Sequence, residues 1–157
     1  MHNTSTPKRL DPALLLDNQL CFSLYSASLA MTKLYKPLLD ALALTYPQYL
    51  VMLVLWESDG PTVSAMGERL SLDSGTLTPL LKRMESAGWL TRQRSSEDER
   101  RVHVWLSPTG QQLQTQAAFI PECVVSQSGM PLAELVSLNR KVQQLRNAMQ
   151  AAPTPLP

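Results

Sequence analysis

Two cysteines, Cys21 and Cys123, are the residues of this 157-residue chain that could carry covalent chemistry. They lie far apart without a CxxC pair, and the two histidines, His2 and His103, stand in no metal-ligand spacing. A structural zinc site is therefore not expected, nor is any other cofactor. The chemistry open to these side chains is that of the thiolate, the nucleophilic form of cysteine.

Tyrosines accompany the first cysteine. Positions 21, 25, 28, 32 and 35 step by three or four residues, which places Cys21, Tyr25 and Tyr35 on nearly one face of a helix. A phenol O–H that donates to sulfur stabilises the charged thiolate. We therefore expect these three side chains to share a pocket. A lone cysteine in an apolar helix is more often buried and inert, and the tyrosines favour the reactive interpretation.

A second group of residues combines short hydroxyls with basic side chains. Hydroxyls at the start of a helix can contact base edges or phosphates of DNA, and arginines in a loop can enter a narrow minor groove. An ion pair between Asp98 and a neighbouring arginine would hold such a loop in shape. The residues predicted to contact DNA or to shape that contact are Ser74, Gly75, Thr76, Thr78, Pro79, Lys82, Arg83, Arg92, Arg94, Asp98 and Arg100.

The cysteine and the tyrosines must be positioned by a long first helix. Apolar residues from Leu20 to Leu38 recur at steps of three and four, which is the stripe of an amphipathic helix. Pro37 is expected to end or kink it. A buried helix follows from Pro47 to Trp56 and stops before the turn signal at 58–61.

The DNA-contacting residues must be positioned by a helix-turn-helix and a hairpin. Thr62 is a good N-cap for a short helix. The next helix is capped by either Asp73 or Thr76 and ends at Gly88. Pro79 lies in the first turn if Thr76 is the cap, whereas an Asp73 cap implies a local distortion.

Beyond Gly88 the pattern changes to that of strands. Residues 89–94 are β-compatible, 95–99 are turn-like, and apolar residues alternate over 102–106, which predicts a hairpin with a charged tip. A helix-compatible stretch then reaches about Val125, and Pro131 opens a last amphipathic helix. We expect a mainly α fold with a small β-hairpin wing: a winged helix-turn-helix at 46–108, helical dimerisation segments at 10–45 and 109–150, and flexible tails at 1–9 and 151–157.

Composition constrains the function only weakly. The chain is 44% hydrophobic and 17% charged, as in an ordinary globular domain, and its net charge of +1 does not by itself indicate nucleic-acid binding. The longest apolar run is shorter than a membrane span, so a cytoplasmic protein without membrane contact is expected. Pattern alone leaves open a mixed-charge surface loop, or a winged helix that contacts proteins.

Several segments resemble one known family. Segment 72–85 reads LDSGTLTPLLKRME, and Gly88, a DER triplet at 98–100 and LSPTG at 106–110 follow it. Upstream, 16–27 reads LDNQLCFSLYSA, 35–39 reads YKPLL and 44–49 reads LTYPQY. The chain resembles the MarR family in these segments, and the upstream ones are similar to its organic-hydroperoxide sensor branch, of the type that has two cysteines.

The resemblance implies a homodimeric repressor, not an enzyme, that binds a palindromic operator. It assigns Cys21 as the peroxide-reactive cysteine, Tyr35 and Tyr46 as hydrogen-bond donors to its thiolate, and Tyr25 as a pocket residue. Organic hydroperoxide would oxidise Cys21 to sulfenic acid, and a disulfide to Cys123 of the partner subunit would follow and release the DNA. A small cellular thiol could cap Cys21 instead.

Two other functions stay open. A MarR-type regulator released by a small phenolic ligand needs no reactive thiol, and a one-domain thiol peroxidase would turn over hydroperoxide. The sequence offers no catalytic base around Cys21 beyond tyrosines, which disfavours the peroxidase.

Overall fold

The computed structural model describes residues 11–152. Their secondary structure is helical except for one antiparallel hairpin, and the chain divides into two compact units between Tyr46 and Pro47. The elements are α1 (Leu20–Asp40), α2 (Tyr46–Glu57), α3 (Val63–Leu70), α4 (Ser74–Ser86), β1 (Leu90–Arg94), β2 (Val102–Leu106), α5 (Pro108–Ala117), α6 (Ile120–Gln127) and α7 (Leu132–Ala151).

Helix α1 forms most of the first unit and follows two 3₁₀ turns, Pro12–Leu14 and Leu16–Asn18. It continues through Pro37 to Asp40, so of the two outcomes expected for this proline, an end to the helix is wrong. A proline so near the C-terminus removes one helical hydrogen bond, and the remaining turn is short enough to tolerate that loss.

The second unit holds a core built on the helix-turn-helix. Helix α3 packs on α4, α4 packs on β1, and both α3 and α5 contact β2. The apolar positions at helical spacing meet there, as expected from their periodicity. Its most deeply buried side chains are Val51, Met52, Leu55, Met66, Leu77, Leu81, Met84, Leu90, Val104 and Ile120.

The hairpin forms at the expected residues, with Leu90 opposite Leu106 and Arg94 opposite Val102. Leu90 and Val104 point into the core, which secures the register because a slip of one residue would expose them. The fold class predicted from the sequence is confirmed: a mainly α chain with a β-hairpin wing.

Two expectations for the C-terminal part are wrong. The single helix expected to reach about Val125 is split into α5 and α6, because the ring of Pro121 would clash with the carbonyl of Ala117, the last residue of α5. Ala151 belongs to α7 and not to a tail. Of the other residues in the predicted tails, Ala152 is the C-cap of α7, and 1–9 and 153–157 lie outside the described residues.

Candidate functional site

Helix α3 begins at a side-chain cap, and the tight turn that joins it to α4 depends on the backbone at Ser71 and Gly67. Thr62 caps α3 as expected, by accepting a hydrogen bond from the Ala65 N–H at 3.1 Å. Ser71 ends α3 in the left-handed region, with φ of 55°. A Cβ on the buried Gly67 would lie 2.8 Å from the Leu72 carbonyl oxygen, so this close approach requires glycine. Sequence reasoning missed Gly67, whose only signal was a glycine inside a helical pattern.

Asp73 is the N-cap of α4, which decides between the two caps left open. Its carboxylate accepts the Thr76 N–H at 2.8 Å and the Thr76 hydroxyl at 3.1 Å. The backbone hydrogen bond from Thr76 is the main cause that lowers the pKa of Asp73 below its usual value. Pro79 therefore lies inside the helix, where it cannot supply the N–H that the Gly75 carbonyl would accept.

Helix α4 has one buried and one open face. Leu77, Leu80, Leu81 and Met84 pack into the core. The opposite face carries most of the side chains predicted to reach DNA: Ser74, Gly75, Thr76, Pro79, Lys82 and Arg83 are exposed, and Thr78 is half-buried. Because these side chains are exposed, this face of α4 is accessible to a partner as large as a DNA duplex.

The loop at the tip of the hairpin is held by its own polar groups. Asp98 accepts the Arg100 backbone N–H at 3.0 Å and forms an exposed ion pair with Arg101 at 3.6 Å. The Arg94 guanidinium approaches the Glu99 carbonyl at 3.5 Å. Among the described residues, the guanidinium of Arg100 has no partner.

The guanidinium of Arg92, unlike that of Arg100, has a partner. Its guanidinium and its backbone N–H bind the carboxylate of Glu85 on α4, at 2.7–3.0 Å. The hydrogen bond from Arg92 is the main cause that lowers the pKa of Glu85. In this structure Arg92 links the helix to the hairpin, and its contact with DNA stays a prediction. Glu85 itself was missed, because a single glutamate near a helix end is an unremarkable residue in a sequence.

The outer side of the hairpin is joined to the α2–α3 turn. Asp59 accepts the Leu106 N–H at 2.9 Å, and the His103 Nδ1 lies 2.9 Å from the Gly60 carbonyl oxygen. Gly60 has φ of +82°, and a Cβ there would meet the Trp105 ring at 2.4 Å. These residues, also missed in the sequence, attach the base of the wing to the helical core.

Cys21 lies exposed in the first turn of α1, and Tyr25 follows one turn later with 62% of its surface exposed. Tyr35 lies on the same face, as expected. The shared pocket does not form within one chain, because fourteen residues of helix separate Cys21 from Tyr35 by about 21 Å along the axis. Fourteen residues return the helix to nearly the same face about four turns further along, so a shared face alone does not bring two side chains into contact.

Tyr35 and Tyr46 instead form a pair beyond the far end of that face. Their ring centroids are 5.0 Å apart and the rings are inclined at 53°. Burial raises the pKa of Tyr46, so its hydroxyl remains a hydrogen-bond donor at neutral pH. Cys123 lies on α6 and is half-buried. Within residues 11–152, no group of histidines, cysteines and carboxylates could hold a metal ion, and no helix has the length and apolar character needed to cross a membrane.

Comparison with known proteins identifies the family of the chain. The family described as transcriptional regulator SarA/Rot matches residues 33–116. The organic hydroperoxide resistance transcriptional regulator of Bacillus subtilis is 56% identical over 125 residues, which cover 78% of this chain and 85% of that protein. The chain belongs to the organic hydroperoxide resistance branch of the MarR family.

Solved structures agree with this membership. Reduced AbfR bound to DNA matches with a TM-score of 0.71 and 37% identity, over 85% of this chain and 94% of that one. AbfR has also been solved in a disulfide form, which matches with a TM-score of 0.61 and 39% identity over 83% and 91% of the two chains. This MarR-family chain is a transcriptional regulator and not an enzyme.

Proposed function

We propose that the chain is a repressor that binds operator DNA as a homodimer while Cys21 is reduced and releases it when an organic hydroperoxide oxidises Cys21. The observation that carries the proposal is the exposed Cys21 on α1, in a chain that is 56% identical to a relative named for organic hydroperoxide resistance. DNA binding by the reduced form is supported by AbfR, whose reduced structure is bound to DNA.

The DNA interface consists of the open face of α4 and the tip of the wing. Helix α4 enters the major groove, where its hydroxyls and glycine allow close approach and its basic residues contact phosphates. Arg100 enters the adjacent minor groove, since its guanidinium is without a partner in residues 11–152, while Asp98 shapes the loop. The proposed contacts are Ser74, Gly75, Thr76, Thr78, Pro79, Lys82, Arg83, Arg94 and Arg100.

The dimer is built from residues 10–45 and 109–150, with 46–108 as the DNA-binding region. Exposed apolar side chains support this division, because helices of a stable single chain would bury them. They lie on α1 and its preceding turns and on α7: Leu14, Leu16, Leu20, Leu29, Met31, Leu132, Val136, Leu138 and Met149.

The sensing pocket spans the two subunits. About 21 Å separates Cys21 from Tyr35 within one helix, so the tyrosines that stabilise a given thiolate belong to the partner subunit. In a two-fold dimer every contact occurs twice, and antiparallel α1 helices bring each Cys21 to the partner's Tyr35 and Tyr46. Tyr25, one turn from Cys21, lines the same pocket.

Oxidation then follows ordinary thiol chemistry. The Cys21 thiolate attacks an oxygen of the hydroperoxide, an S–O bond forms, the O–O bond breaks, and the alkoxide leaves and takes up a proton. The thiolate of Cys123 from the other subunit displaces the hydroxyl from the sulfenic acid, which forms a disulfide and releases water after protonation. The new bond displaces α1 and changes the spacing of the two α4 helices, so the operator is released.

The test compares wild type, Cys21→Ser and Cys123→Ser before and after cumene hydroperoxide, on a duplex selected from a random pool by the reduced wild type. Fluorescence anisotropy reports binding, and mass spectrometry identifies the products. We expect Cys21→Ser to stay bound after oxidant and Cys123→Ser to form sulfenic acid without a cross-subunit disulfide. Release of Cys21→Ser by the oxidant would refute thiol sensing and leave a ligand-released regulator.

A further inference from the structure

Besides the packing of α4 on β1, one carboxylate on α4 makes a charged link to the wing. Glu85 lies in the last turn of α4, and Arg92 is the third residue of β1. One Glu85 oxygen accepts the Arg92 backbone N–H at 2.7 Å, and the other accepts Nε at 3.0 Å and Nη2 at 2.8 Å. Because two guanidinium N–H groups of Arg92 bind the carboxylate, the contact defines the orientation of the Arg92 side chain as well as its distance from Glu85.

This pair is unlike the other charged contacts of the wing. The Asp98–Arg101 pair lies within the loop, with side chains 47% and 69% exposed, whereas Glu85 and Arg92 are 34% and 24% exposed. In the part of the chain that the structure describes, no other ion pair joins α4 to the hairpin. Partial burial reduces solvent screening, so this pair holds its geometry better than an exposed one.

The Glu85–Arg92 pair lies where it can orient the tip of the hairpin. Leu90 anchors the base of the hairpin in the core, and Arg92 is the next residue of β1 on the same face of the strand. Beyond Arg94 the chain forms the loop that carries Arg100. A two-stranded hairpin is only marginally stable alone, so its angle to α4 depends on such attachments.

We propose that Glu85 and Arg92 are positioning residues that set the angle between the helix in the major groove and the wing, so that Arg100 reaches the minor groove while α4 is docked. Neither residue contacts DNA in this role, and Glu85 acts on affinity only through the wing. The inference rests on the proposed DNA interface.

The sign of the Glu85→Gln effect tests it. Removing a negative charge beside DNA strengthens binding if electrostatic repulsion is all that matters. Loss of a positioning residue weakens binding, by about threefold to tenfold if the coupling lies in the lower half of the usual range for residues in contact. Glu68→Gln on α3 is the matched control, because it removes the same charge from an exposed side chain without a link to the wing. We expect it to leave binding unchanged or slightly stronger.

A double-mutant cycle with Arg100→Ala tests whether Glu85 affects DNA binding through Arg100. On the duplex selected by wild type, Arg100→Ala should weaken binding strongly in the wild-type background and by less than half that factor in the Glu85→Gln background, with urea unfolding showing that both variants fold. Equal effects in both backgrounds, or a Glu85→Gln variant that binds as tightly as the Glu68→Gln control, would overturn the positioning role. If instead Arg100→Ala and Lys82→Ala both bind as wild type does, the proposed DNA interface itself is wrong.

Discussion

A mixed dimer separates a sensing pocket within one chain from one shared between chains. One subunit carries Cys21→Ser, and the other carries Tyr35→Phe with Tyr46→Phe. If the tyrosines act on the partner's thiolate, the remaining Cys21 faces the intact tyrosines of the Cys21→Ser subunit. That single site should react with organic hydroperoxide at the wild-type rate, although its own chain lacks both hydroxyls.

The size of the expected rate loss follows from the length of α1 and from the strength of a single hydrogen bond. The helix is unbroken from Leu20 to Asp40, and fourteen residues at about 1.5 Å each give about 21 Å, whereas a hydrogen bond spans about 3 Å. A hydrogen bond to a charged group contributes about 1.5–3 kcal/mol. Loss of one such bond to the reacting sulfur should slow its oxidation by about tenfold to a hundredfold. The homodimer that lacks both hydroxyls should slow by at least the lower factor.

The assay uses two affinity tags to purify the mixed dimer after co-expression. Rapid-mixing kinetics with cumene hydroperoxide measure the loss of thiol, and mass spectrometry with a sulfenic-acid trap assigns the product to Cys21. We expect the wild-type rate with half the wild-type amplitude. A mixed dimer as slow as the Tyr35→Phe/Tyr46→Phe homodimer would refute the shared pocket.

Three further outcomes are expected. Arg100→Ala should weaken operator binding and reduce the slope of log affinity against log salt by about one; an unchanged slope would contradict a DNA contact. Gly88→Ala should cost about 1–2 kcal/mol in urea unfolding, because φ is +80° and no atom crowds a Cβ there. Gly110→Ala should cost more, since its Cβ would lie 2.0 Å from the Trp89 carbonyl oxygen, and the reverse order would refute this reasoning. Asp73→Ala should destabilise the chain at neutral pH. Because the folded pKa of Asp73 is lowered, its contribution is present above the usual aspartate pKa and lost as pH falls through the lowered value. The gap in urea midpoint between wild type and variant should therefore narrow in acid, and a gap independent of pH would contradict this.

Local signals in the sequence predicted the elements well. Thr62 and Gly88 mark the start of α3 and the end of α4 because capping depends on a side-chain oxygen or a left-handed backbone close by in the chain. The alternation over 102–106 predicted β2 for the same reason. The family motifs at 16–27 and 72–85 predicted the class of regulator, which the comparisons confirm.

Competing local signals were harder to weigh. Asp73 and Thr76 are both good caps, and Pro79 favoured the second, yet the structure uses Asp73 and accepts the proline inside α4. The Asp73 carboxylate accepts two hydrogen bonds from Thr76, which offset the one hydrogen bond that Pro79 cannot make. The division between α5 and α6 was missed because the apolar periodicity continues across Pro121.

Sequence by itself determined which face of each element carries which chemistry: the thiol and tyrosine stripe of α1, the hydroxyl and basic face of α4, and the charged tip of the wing. Tertiary structure decided which of these groups meet. It pairs Tyr35 with Tyr46, turns Arg92 onto Glu85 and leaves the Arg100 side chain open. Periodicity specifies angles around an axis, whereas contact between distant residues depends on packing of the whole chain.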